Sequence, residues 1–176
     1  MSFRILLNKN NKRQIMPSIN PTEIFFNIIV RFEYNERNEH ISKCIESILN
    51  QTYKKIKIFV IVTDEKCVQM IEKYKNIITV VFLRTKTSYE GYNNLYYNNI
   101  FKKINNGWLL FMDFFNTFES KTSLLTIYDN ILNDKSFCIW KYNKENEILF
   151  NLKTKDIELC TIAFHHSIIK NTIFVP

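Results

Sequence analysis

Phe26-Asn27-Ile28-Ile29-Val30, running into Arg31-Phe32-Glu33-Tyr34-Asn35, decides the fold. The first five residues are apolar but for one and predict a buried strand, and the next five predict a polar tip. Residues 41–50 follow with Ile41, Cys44, Ile45, Ile48 and Leu49 at spacings of three and four, one face of an amphipathic helix. Ser42, Lys43, Glu46 and Ser47 fall on the wet side. A second apolar run, Ile56 to Val62, is polar only at Lys57 and predicts a strand covered on both faces. It ends on Thr63-Asp64, and a later run, Trp108 to Met112, ends on Asp113. Two strands that each deliver an aspartate at the C-terminal tip point to a nucleotide or metal site at the open edge of a parallel sheet.

Working outward, a helix is expected over 65–74 and a third strand over 79–83. Residues 84–90 are expected to form a polar loop over the strand tips, and 94–104 a further helix before Gly107. This alternation predicts an α/β fold with a mostly parallel central sheet, helices on both faces and mixed edge strands. The mixed strands come from the change of rhythm after Asp113. A helix over 124–132 precedes a hairpin pairing 137–142 with 148–152, then a strand over 159–165. Residues 1–23 are expected to be a leader with a short strand at 3–7 and turns at Pro17 and Pro21, and 24–176 one domain. There is no internal repeat.

Composition narrows the chemistry. With 176 residues, 46% of them hydrophobic, the chain has enough apolar surface for a sizeable core. Glycine occurs only at Gly91 and Gly107, so a phosphate-cradling loop of clustered glycines is excluded, and with it P-loop and dinucleotide enzymes. Cys44, Cys67, Cys138 and Cys160 form no Cys-x-x-Cys pair, which argues against a zinc ribbon and for free thiols in a reducing setting. No apolar run approaches the ~18 residues of a membrane span, and a cytoplasmic location is expected. The abundance of Ile, Asn, Lys, Phe and Tyr resembles AT-rich coding, as in some large DNA viruses and some parasites; for a viral chain the expected location is the host cytoplasm. A net charge of +7 favours polyanions or phosphorylated small molecules.

Several phrases, in order, resemble family 2-type glycosyltransferases, which have the GT-A fold. They are Tyr34-Asn35 after the first strand, Ser47-Ile48-Leu49-Asn50-Gln51-Thr52-Tyr53, Thr63-Asp64, Asn94-Leu95-Tyr96-Tyr97-Asn98, and Gly107-Trp108-Leu109-Leu110-Phe111-Met112-Asp113. The resemblance covers about three-quarters of the chain. It implies a nucleotide-binding half at 24–113 and a shortened acceptor half at 114–176. It also implies a UDP-sugar donor, a glycan or protein acceptor, and manganese or magnesium as cofactor.

Residue by residue, the resemblance assigns nucleotide binding to Arg31, Tyr34, Asp64, Asn94, Asn98 and Asp113. Arg84 and Lys86 in the polar loop are expected at the diphosphate. Glu158, just before the last strand, matches the family's general base, which takes the acceptor hydroxyl proton. The expected metal ligands are Asp113, Asn116 and His165. Adjacent strand residues face opposite ways, so at most one of His165 and His166 can serve.

The sequence departs from the family at its metal motif. Where the family has Asp-x-Asp, this chain has Asp113-Phe114-Phe115-Asn116. A hard divalent cation wants several oxygens, and Phe115 offers none. Three outcomes stay open: one carboxylate suffices, basic groups take over the diphosphate, or the metal is gone. A non-catalytic binding protein of the same fold is one rival. A basic nucleic-acid module, with Tyr89, Tyr92, Tyr96 and Tyr97 near Arg84 and Lys86, is the other.

Overall fold

The computed structural model describes residues 24–34, 38–83, 100–132, 137–139 and 162–165. Six strands form one sheet: β1 (Phe26–Phe32), β2 (Ile56–Val62), β3 (Ile78–Phe82), β4 (Trp108–Asp113), β5 (Phe137–Ile139) and β6 (Ile162–His165). Their order across the sheet is β3-β2-β1-β4-β6-β5. The first four are parallel, while β6 runs antiparallel to β4 and β5 antiparallel to β6. A parallel core with antiparallel strands on one side is the arrangement expected from the change of rhythm after Asp113.

Parallel strands buried on both faces read as nearly continuous apolar runs, and these do. One face carries Phe26, Ile28, Val30 and Phe32 of β1, Ile58, Val60 and Val62 of β2, and Trp108, Leu110 and Met112 of β4. Helix α1 (His40–Leu49) covers it with Ile41, Cys44, Ile45 and Ile48. Helix α2 (Glu65–Met70) contributes Cys67, and α3 (Ser123–Leu132) contributes Leu124, Ile127 and Ile131. Alternation sends Ile29, Phe59, Ile61, Val81, Leu109 and Phe111 to the other face, where they are buried together with Ile100 and Ile104. There the Phe101 ring meets Phe111 edge to face at 5.9 Å.

Some expected elements change shape. The helix over 65–74 breaks at Ile71 (φ −103, ψ 6) and resumes as a 3-10 turn, Glu72–Tyr74. The tighter turn lets Ile71 and Tyr74, three apart, both bury, because such spacing eclipses side chains in a 3-10 helix. Helical backbone at 100–101 ends in a turn where the Lys103 N–H donates to the Ile100 carbonyl, so Ile104 lies past the helix. The described partner of β5 is β6. The expected return strand at 148–152 lies outside the described residues, as do the leader at 1–23 and most of the helix over 94–104.

Gly107 shows why a glycine precedes β4. Its φ is +88°, and a Cβ there would lie 2.6 Å from Phe25 Cε2. Buried Asn27 fixes the same turn by donating from Nδ2 to the Asn106 carbonyl at 2.9 Å. The Trp108 N–H donates to the Phe25 carbonyl at 2.9 Å, which sets the start of β4 against β1.

Candidate functional site

The register of the sheet brings the charged tips together. Arg31 of β1 is the Cα partner of Asp113 of β4, so both side chains leave the same face of neighbouring strands. Arg31 Nη2 donates to Asp113 Oδ1 at 2.8 Å, a charge-assisted bond between side chains 24% and 22% exposed. Arg31 Nε stands 3.9 Å from Glu33 Oε1. One guanidinium is therefore flanked by two carboxylates. The sequence reading named Arg31 but not Glu33. The signal was present, since residues two apart on an extended chain share a side.

Asp64 is the N-cap of α2. Its backbone is extended (φ −124, ψ 140) and Oδ1 accepts the Lys66 N–H at 2.7 Å. The Lys66 ammonium lies 4.9 Å from the centre of the Tyr34 ring, which is 49% exposed. Lys66 thus joins Asp64 at the β2 tip to Tyr34 at the β1 tip, and brings a positive charge the sequence reading did not assign. The spacing of a cap aspartate two residues before a lysine was its only trace in the sequence.

After β4 the chain turns at once. The Asn116 N–H donates to the Asp113 carbonyl at 2.9 Å, and the Phe114 N–H to the Arg31 carbonyl at 3.1 Å. Phe114 is buried against Phe32, with ring centroids 5.2 Å apart. Phe115 is 48% exposed. The residue that stands where the second metal-binding acid is expected therefore faces solvent beside the tip and offers only carbon.

His165 is not at this site. The antiparallel pairing of β6 sets it opposite Trp108, with ring centroids 5.7 Å apart. Trp108 is five residues before Asp113 on β4, about 16 Å away at ~3.3 Å per residue. Of the expected ligands Asp113, Asn116 and His165, the last is corrected: the direction of β6 carries His165 to the far end. Among the described residues no three of His, Cys, Asp and Glu come together to hold a cation. With Asp113 on Arg31 and Phe115 in place of an acid, the described residues do not by themselves assemble a divalent-cation centre.

Asn94, Asn98, Arg84, Lys86 and Glu158 lie outside the described residues. An open groove of about 760 Å³ between α2 and β3 is lined by Glu65, Val68, Gln69, Glu72 and Phe82, and by none of the three tip residues Arg31, Asp64 and Asp113. Beneath the tips, Cys44 is wholly buried with Sγ 3.9 Å from the Asp113 carbonyl oxygen. Burial, then the negative charge of Asp113, pushes its thiol up to about 12. Cys67 is pushed up to about 11 by burial and then by Asp64. Neither thiol is a nucleophile at neutral pH. No helix among the described residues is long and apolar enough to cross a membrane.

Comparison with known proteins agrees with this geometry. The sequence profile of glycosyl transferase family 2 matches residues 29–114, from β1 to the residue after Asp113. No curated protein sequence matches the chain. Among solved structures, Staphylococcus aureus TarS (residues 1–349) is similar at a TM-score of 0.65 and 20% identity, over 87% of this chain and 50% of that one. The same TarS segment in complex with UDP-GlcNAc is similar at 0.64 and 20% identity, over 87% and 49%. The Pyrobaculum calidifontis mannosyltransferase PcManGT, in complex with GDP-Man and Mn2+, is similar at 0.63 and 14% identity, over 89% and 49%. The chain spans about half the length of these proteins. Residues 29–114 are therefore similar to glycosyl transferase family 2, over just under half of the chain, and the chain has a GT-A-type fold.

Proposed function

We propose that this chain binds a nucleotide-diphospho-sugar, with uridine as its nucleoside, at the tips of β1, β2 and β4, and transfers the sugar to an acceptor hydroxyl. The observation that carries this is the register pairing of Arg31 with Asp113, beside Asp64 at the tip of β2. Asp64 caps α2 with one oxygen, and a carboxylate has a second with which to accept a uracil N–H or a ribose hydroxyl. Tyr34, half exposed beside Lys66, offers a ring face to the base. Asp113 faces the ribose and diphosphate, with Asn94 and Asn98 supporting the nucleotide.

In the reaction, the acceptor oxygen bonds to the anomeric carbon as the bond from that carbon to the diphosphate breaks. Direct displacement inverts the carbon. The acceptor's proton passes to Glu158 as general base, and the diphosphate leaves with its negative charge met by Arg84 and Lys86. No step of this reading runs through a divalent cation, because the described residues do not assemble ligands for one. The acceptor half at 114–176 would present the hydroxyl.

Calorimetric titration with UDP, GDP and UDP-sugars tests the proposal. Binding of UDP in preference to GDP, lost in Asp64→Asn, is the expected result. Equal binding of both, or none, overturns the nucleoside assignment. Exposed Phe115 at the position of the second acid favours a second reading, a binding protein without turnover. Release of UDP from a bound UDP-sugar in the presence of acceptor separates the two.

A further inference from the structure

We infer that Arg31 takes the electrostatic place of the divalent cation at the Asp113 carboxylate, so that donor binding by this chain does not depend on manganese or magnesium. The inference rests on the proposed nucleotide-sugar site and concerns how its charge is balanced.

Two carboxylates, those of Asp113 and Glu33, come to one side of the β1 and β4 tips. A pair of acids beside a diphosphate is an unfavourable accumulation of negative charge unless a cation intervenes. Here the intervening cation is part of the chain. Arg31 Nη2 is 2.8 Å from Asp113 Oδ1, and Nε is 3.9 Å from Glu33 Oε1. The guanidinium fork matches such an arrangement and cannot be deprotonated at working pH. A manganese or magnesium ion competing for Asp113 has to displace this bond. It would then find Phe115, half exposed and without a donor atom, where a second ligand is needed. The register keeps the two side chains adjacent, because Arg31 and Asp113 are direct partners of neighbouring hydrogen-bonded strands. Arg31 is in this sense a positioning residue: it acts on the donor through Asp113.

The inference predicts a gain as well as a loss. Replacing Arg31 with glutamine leaves Asp113 and Glu33 as two unneutralised acids, which is the beginning of a cation site. Manganese binding is measured first on the protein alone, by titration followed with electron paramagnetic resonance. Wild type should bind no manganese, and Arg31→Gln should bind it measurably. UDP titrations are then run in chelator and in manganese. Wild type should show the same affinity in both. Arg31→Gln should lose about tenfold or more in chelator, the scale of a lost charge-assisted bond, and recover much of that loss in manganese. Arg31→Lys, which keeps the charge, should need no metal.

Wild-type UDP binding that collapses in chelator overturns the inference, as does an Arg31→Gln protein that matches wild type in every arm. If Arg31→Gln fails to fold, the wild-type comparison of chelator with manganese still decides the matter. Absence of UDP binding under all conditions overturns the proposed donor. The manganese titrations on the protein alone then still test whether Arg31 occupies the cation's place.

Discussion

Gln51, two residues past the end of α1, accepts the backbone N–H of Leu124, in the first turn of α3, on its Oε1 at 3.0 Å. Its Nε2 donates to the carbonyls of Ser120, at 2.8 Å, and Ser47, at 3.1 Å. The side chain is buried, and it satisfies an N–H that a helix start leaves without an intrahelical partner. Gln51→Leu should therefore cost about 2–3 kcal/mol, because buried groups lose their partners. Gln51→Glu, which keeps an acceptor for Leu124 but loses both donations, should also destabilise. Urea unfolding monitored by Trp fluorescence measures both; a loss below 0.5 kcal/mol, roughly the scatter of surface substitutions, would refute the strap.

Asp64 has a structural and a proposed recognition role, and two substitutions separate them. Asp64→Ala removes the cap on Lys66 N and should cost about 1 kcal/mol. Asn is as good a cap as Asp, so Asp64→Asn should unfold at nearly the wild-type denaturant concentration. Only its nucleotide affinity should fall. Unfolding and UDP titration on the same two proteins give the answer.

Gly107→Ala should be strongly destabilising. The left-handed backbone alone costs about 1–2 kcal/mol for an L residue, and the new methyl would press on the Phe25 ring at 2.6–2.7 Å. A double variant with Phe25→Ala should relieve the steric part of the loss and leave the backbone part. If Gly107→Ala alone unfolds like wild type, the turn is not as drawn.

The buried thiols make stability fall at high pH. Cys44 and Cys67 are raised from the ordinary 9.0 to about 12 and about 11, so the folded chain keeps protons that the unfolded chain releases. Their contribution is full below pH 9 and is lost as pH rises through 9 toward 11–12. The free energy of unfolding should decline between pH 9 and pH 10.5, less steeply in Cys44→Ala. Native protein should react slowly with a thiol reagent at pH 8, and fast labelling of Cys44 would contradict its burial.

Phe115→Asp should fold as wild type, within about 0.5 kcal/mol, because the ring is half exposed. With an acid restored in the turn after Asp113, manganese should begin to tighten UDP binding, most clearly in combination with Arg31→Gln. Titration with and without chelator reads this. A variant indifferent to manganese in both backgrounds would show that position 115 does not reach the site.

The sequence by itself determined the parallel core. Apolar runs too continuous for a half-wet sheet marked β1, β2 and β4, and spacings of three and four marked the buried face of α1. Both follow from local periodicity, which each segment carries whatever its neighbours do. The Ser47-to-Tyr53 phrase was legible as a family sign, but its physical work was not. Ser47 Oγ accepts the Phe118 N–H at 3.1 Å, Gln51 caps α3, and the Tyr53 hydroxyl donates to the Ile24 carbonyl at 2.5 Å. Those partners are 29 to 73 residues away along the chain. Strand direction was equally hidden. Nothing local in Ile162–His165 says that it runs antiparallel to β4, and that alone carries His165 to the end opposite Asp113. The joining of Arg31 to Asp113 came only from the register between β1 and β4, since a charge pair across strands depends on which residues the backbone hydrogen bonds align.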